Sequence, residues 1–121
     1  MIPTEAQEQT ALFTWAALQA GKHSELRLMF HVANEGARGA IGGAKQKAQG
    51  LKAGVPDIFL PVARGKHHGL FIEMKRTQGG RESILQKQWR DDLTAQGYLS
   101  VVCRGWEGAK NTILEYLEGR K

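Results

Sequence analysis

Six consecutive residues, Leu70-Phe71-Ile72-Glu73-Met74-Lys75, restrict the fold of this chain more than any others. In a strand, side chains alternate, so Leu70, Ile72 and Met74 take one face while Glu73 and Lys75 take the other. The apolar face has to be covered by a core. The charged pair is costly to bury unless something pairs with it, and a bound cation would. An exposed ion pair on a sheet produces the same pattern, so the neighbours decide. Asp57 opens another apolar run, 58–62, and the intervening Ala-Arg-Gly-Lys-His-His-Gly has the glycines and charges of a hairpin turn. Antiparallel pairing around that turn brings Asp57, at the start of the first strand, to Glu73 and Lys75 at the end of the second. Two carboxylates with a backbone carbonyl and waters form the hard-oxygen, octahedral site preferred by Mg2+ or Mn2+. Such an ion stabilises charge on a phosphodiester oxygen and lowers the pKa of a bound water, which the Lys75 ammonium can orient.

The rest of the chain supplies elements that can enclose this hairpin. Thr4 and Gln7 have the spacing of a capping box, followed by a helix over 5–20 whose buried stripe, Glu5, Glu8, Leu12, Trp15 and Ala16, begins with two acids. Residues 28–33 (LMFHVA) read as a strand, and the glycine-rich stretch after Glu35 reads as loop with up to two helical turns. Pro61 cannot donate to a ladder, which marks an edge or a strand end. Ser83 and Gln86 repeat the capping-box spacing ahead of a helix striped by Leu85, Trp89 and Leu93 and stopped at Gly97. A strand over 98–103 and a helix over 106–117 close the order. A strand, helix and strand of these lengths imply a parallel crossover, and the class is α/β with a small mixed β-sheet flanked by helices, in the order αβββαβα.

With 121 residues the chain suffices for one domain, 1–121, with a single core. Its one cysteine, Cys103, excludes an internal disulfide and a cysteine-rich zinc site. Neither a secretory pattern nor a membrane-spanning apolar run is present, so the expected location is cytoplasmic, in a bacterial or phage-encoded protein. Seventeen Lys and Arg against twelve Asp and Glu, a formal charge of +5, favour a polyanionic partner. Between Gly36 and Pro56 four cations, Arg38, Lys45, Lys47 and Lys52, occur with six glycines and no acid. That segment is a candidate to face phosphates, although a solvated basic loop carries the same charges. Its glycines do not lead into Gly-Lys-Ser/Thr, so a phosphate loop is excluded.

The run GVPDIFLPVARGKHHGLFIEMKRTQGG resembles the PD-(D/E)xK signature of restriction-endonuclease-like nucleases, in the form found in the VRR-NUC family. The wider resemblance takes in Glu5 and Gln9 on the first helix, the Asn34-Glu35 pair after the first strand, and Gln88 on the helix that follows Glu-x-Lys. It implies a restriction-endonuclease-like core. Asp57 and Glu73 would hold a divalent metal, the Met74 carbonyl would complete its shell, Lys75 would position the attacking water, and Gln88 would support the site. A carboxylate from the first helix would join them, Glu5 or Glu8, with Glu5 fitting the family spacing better. Acids in a first helical turn are also favoured by the helix dipole whatever the function. The implied activity is a metal-dependent DNA endonuclease selective for Holliday-junction or flap-like branched DNA, acting as a homodimer and touching phosphates through Arg38, Lys45, Lys47, Lys52, Arg76 and Arg81. A non-catalytic nucleic-acid-binding module, or a nuclease subunit that depends on a partner protein, are the alternatives. His67 and His68 read as turn residues, His31 as a histidine lining the cleft or hydrogen-bonded internally, and Cys103 as core.

Overall fold

The computed structural model describes residues 1–33, 45 and 47–121. Its centre is the predicted hairpin. Strand β2 (Ile58–Leu60) pairs antiparallel with β3 (Leu70–Lys75), with Ile58 opposite Ile72 and Leu60 opposite Leu70. The first strand is cut at Leu60 because Pro61 has no N–H for the ladder, and Val62 turns back to donate to the Leu60 carbonyl at 2.9 Å. Strand β1 (Phe30–His31) adds antiparallel to β2, and β4 (Leu99–Arg104) adds parallel to β3, giving a mixed sheet in the order β1-β2-β3-β4.

Helix α1 (Glu5–Gln19) starts at the expected capping box, in which Thr4 Oγ1 accepts the Gln7 N–H at 3.1 Å and Gln7 Oε1 accepts the Thr4 N–H at 2.8 Å. Helix α2 (Ile84–Ala95) makes the parallel crossover from β3 to β4, and α3 (Gly105–Leu117) closes the fold. The apolar face of the sheet, Ile58, Leu60, Leu70, Ile72, Met74 and Cys103, is buried under Leu12 and Ala16 of α1 and Ala109, Ile113 and Tyr116 of α3. Each such side chain contributes roughly 1.5–3 kcal/mol of burial.

One element departs from expectation. Of the strand expected over 28–33, only Phe30 and His31 pair, because residues Ser24–Leu28 form a 3-10 helix. The reason is a competing period: Leu26 and Met29 are buried three residues apart, which suits a tight helical turn and leaves Leu28 exposed. Among the described residues no helix is long and apolar enough to cross a membrane.

The opposite face of the sheet changes character along β3. Phe71 stacks on Phe59 with ring centroids 4.1 Å apart, and Tyr98 meets both rings edge-on. One residue pair further along the same face, the aromatic surface gives way to Asp57, Glu73 and Lys75.

Candidate active site

Asp57, Glu73 and Lys75 converge because register and alternation leave them no other arrangement. The ladder that sets Ile58 against Ile72 brings Asp57 to the level of Glu73, and Asp57 Oδ2 accepts the Met74 N–H at 2.7 Å. The Asp57 carbonyl accepts the Val32 N–H at 2.7 Å and stands 2.9 Å from His31 Nδ1. A carbonyl can only accept, so that contact requires the His31 proton on Nδ1. Gln9 Nε2 on α1 stands 3.0 Å from the same ring nitrogen, and an amide N–H can only donate, so this contact is the alternative to the Asp57 one, formed when Nδ1 carries no proton. His31 is thereby engaged internally through its Nδ1.

Glu73 and Lys75 are 4% and 5% exposed, and Lys75 Nζ lies 3.4 Å from Glu73 Oε2. The group that joins them is Gln86. Its Oε1 accepts from Lys75 Nζ at 3.0 Å and from the Ser83 N–H at 2.8 Å, while its Nε2 donates to Glu73 Oε2 at 3.0 Å. One glutamine therefore completes the capping box of α2 and spans the buried ion pair. Gln88, which the resemblance had assigned to support the site, is exposed two residues further along α2, about 200° around the helix from Gln86. Its place is taken by Gln86. The Ser83-x-x-Gln86 spacing marked this residue in the sequence, though only as a cap.

The loop before Asp57 is seated as closely. Gly54 has φ +88°, and a Cβ there would fall 2.9 Å from the Leu85 Cβ, so only glycine lets this loop lie against the start of α2. Trp89 Nε1 donates to the Ala53 carbonyl at 3.1 Å and secures the same contact.

The two first-turn acids of α1 part company. Glu8, 5% exposed, accepts the Trp106 N–H on Oε1 at 3.0 Å, which caps the start of α3, where Arg104 at the capping position offers no side chain to the helix. Glu5 lies on the site side: a Cβ built at Gly80 would be 3.7 Å from Glu5 Oε2 and 3.8 Å from Lys75 Cδ, so both side chains approach the same glycine. Arg76 is half-buried with its Nε lacking a partner, and Arg81 is exposed beyond it. Lys45, Lys47 and Lys52 are exposed. Arg38, Asn34 and Glu35 lie outside the described residues.

The electrostatics are unbalanced. Burial, and next the neighbouring Asp57 charge, push the Glu73 carboxyl from 4.5 up to about 8, against the opposing pull of Lys75. Glu73 Oε1 is also buried without a hydrogen-bond partner. Two carboxylates that resist joint ionisation, one with an unspent oxygen, fit a hard divalent cation on the chemistry of their donors. Among the described residues no group of three His, Cys, Asp or Glu side chains adds to them, so a backbone carbonyl and waters would make up the shell. The Met74 carbonyl qualifies, since the N–H and C=O of one strand residue point the same way and its N–H faces Asp57. Cys103 differs in kind: it is buried, its Sγ is 3.7 Å from Thr112 Oγ1, and burial pushes its thiol up, so it belongs to the core.

The family model for the VRR-NUC domain matches residues 2–107. The chain belongs to the VRR-NUC family. It is similar to a solved VRR-NUC domain protein, with 28% identity and a TM-score of 0.79 over 98% of this chain and 91% of the other. No curated protein matches. VRR-NUC domains are nucleases, a family that generally uses divalent metals, so the chain carries a nuclease domain whose substrate class is DNA.

Proposed function

We propose that this VRR-NUC chain is an endonuclease that depends on Mg2+ or Mn2+ and hydrolyses phosphodiester bonds in branched DNA of the Holliday-junction or flap type, as a homodimer. The observation that carries the reading is the cluster of half-buried Asp57 with buried Glu73 and Lys75, and its partnerless Glu73 Oε1. A surface that only bound DNA would gain nothing from carboxylates turned toward a phosphate backbone. Asp57, Glu73 and the Met74 carbonyl would hold the metal, with Glu5 as the further carboxylate at its border. When bound, the ion supplies charge neutralisation at the scissile phosphate and a water that ionises near neutral pH.

The chain's own groups do the positioning. Gln86 fixes Lys75 Nζ beside Glu73, so the ammonium is aimed rather than free to rotate, and by donating to a water oxygen it can orient that nucleophile toward phosphorus. The Met74 N–H locks Asp57 Oδ2 and leaves Oδ1 for the metal. Exposed Lys45, Lys47, Lys52 and Arg81, together with Arg76 and Arg38, would contact phosphates, which read shape and charge rather than sequence. A two-fold dimer suits a two-fold junction.

The test is a nicking assay on four-way junctions, flaps and linear duplex in EDTA, Mg2+ and Mn2+. Cleavage of branched substrates in metal, abolished by Asp57→Ala and by Lys75→Ala with binding retained, is the expected result. Binding that ignores metal, with no cut in any condition, would leave a binding module, and cleavage restored only by cell extract would indicate a partner-dependent subunit.

A further inference from the structure

The loop 76–83 joins the strand that carries Glu73 and Lys75 to the helix that carries Gln86, so its shape decides how those groups meet. Three of its carbonyls converge on one guanidinium. Arg104 Nη1 donates to the Arg76 carbonyl at 3.2 Å and to the Gly79 carbonyl at 2.6 Å, and Nη2 donates to the Gly80 carbonyl at 2.9 Å. Arg104 ends β4 directly opposite Lys75 in the parallel register, so the clamp starts from the strand beside the site. The next residue seats the same loop: Gly105 has φ +73°, and a Cβ there would lie 2.8 Å from Thr77 Cγ2. On its inner side a Cβ at Gly80 would lie 3.8 Å from Lys75 Cδ and 3.7 Å from Glu5 Oε2, so the loop passes over both side chains.

We propose that Arg104 is a positioning residue of the nuclease centre: its fork holds the Arg76–Gly80 turn closed over Lys75 and so sets the capped end of α2, with Gln86, onto Glu73 and Lys75. The inference rests on the nuclease reading above. A guanidinium suits the task because it is planar, permanently charged and presents several donors in a fixed geometry, which a lysine ammonium cannot reproduce. Three of its five N–H donors are engaged on loop carbonyls, which assigns it to shaping the loop, and so to turnover, rather than to holding DNA.

The experiment compares wild type, Arg104→Ala and Arg104→Lys in single-turnover and steady-state cleavage of whichever branched DNA the wild type cuts, with and without ethylguanidinium below denaturing concentration. It is paired with amide hydrogen exchange over residues 76–83. The expected result is a fall in kcat on the order of 10- to 100-fold in both variants with KM for DNA within twofold. Added ethylguanidinium would restore several-fold activity to Arg104→Ala only, and exchange would quicken in the loop alone. A rise in KM with kcat unchanged would make Arg104 a phosphate contact and overturn the proposal. So would unchanged kcat, or a loss that follows a lowered Tm and resists rescue. If the wild type cuts no DNA in any metal, the nuclease reading fails by itself, and unchanged loop exchange in Arg104→Ala would then overturn the clamp independently.

Discussion

Replacing Glu73 by Gln should make the metal-free protein more stable at alkaline pH. The wild-type carboxyl ionises near 4.5 when unfolded and near 8 when folded, because burial and the Asp57 charge both oppose its ionisation. Below pH 4.5 it is neutral in both states and costs nothing. Between 4.5 and about 8 the unfolded chain has released the proton and the folded chain still holds it, so each pH unit shifts the balance toward unfolding. At about 1.4 kcal/mol per unit the interval removes on the order of 5 kcal/mol, a large share of the ~5–15 kcal/mol that keeps a domain folded. Glutamine has no proton to hold and so carries none of this pH dependence.

Guanidinium chloride unfolding in EDTA, at half-unit steps from pH 5 to 9, measures this directly. The stability of Glu73→Gln relative to wild type should climb through that range by several kcal/mol and level off above pH 8. Titrating groups that do not face Glu73 are common to both proteins and cancel in the difference, which leaves the coupled set of Glu73, Asp57 and Lys75. A difference that stays flat across the range would refute the reasoning. Adding Mn2+ at pH 7 should then raise wild-type stability by about 2.7 kcal/mol at a hundred times Kd, with proton release, and leave Glu73→Gln unmoved.

Gln86→Ala should lose part of the α2 cap, about 1 kcal/mol in denaturant unfolding, and reduce cleavage at least about tenfold, whereas Gln88→Ala should leave both within about twofold. Glu8→Ala and Glu5→Ala should separate: the first leaves the buried start of α3 uncapped and costs roughly 1–3 kcal/mol by thermal unfolding, while the second spares stability and lowers cleavage. Tyr116→Phe, which strips the hydroxyl that donates to the buried Val62 carbonyl, should destabilise by about 1–2 kcal/mol without changing cleavage per folded molecule.

The Asp57, Glu73 and Lys75 cluster was legible because nothing but local geometry brings it together. Alternation assigns Glu73 and Lys75 to one face, and a short turn between two apolar runs sets the register that returns Asp57 to them. The capping boxes and the parallel crossover were legible for the same reason. Gln86 was half-legible. Its capping role is a three-residue relation that sequence displays, but a side-chain amide has two ends, and the end that meets Glu73 is aimed by how α2 lies across β3. Resemblance by order along the chain therefore settled on Gln88, two residues away, although no helix can present both glutamines to one site. Glu8 hid its role more completely, since the helix it caps begins 97 residues later and its own first turn already accounts for an acid there. The first strand yielded to a 3-10 turn because one apolar run satisfied two periods, and burial of Leu26 with Met29 chose between them. In each miss the residue served two partners, one near in sequence and one near only in space, and the nearer partner was a sufficient explanation until the sheet and its crossover were assembled.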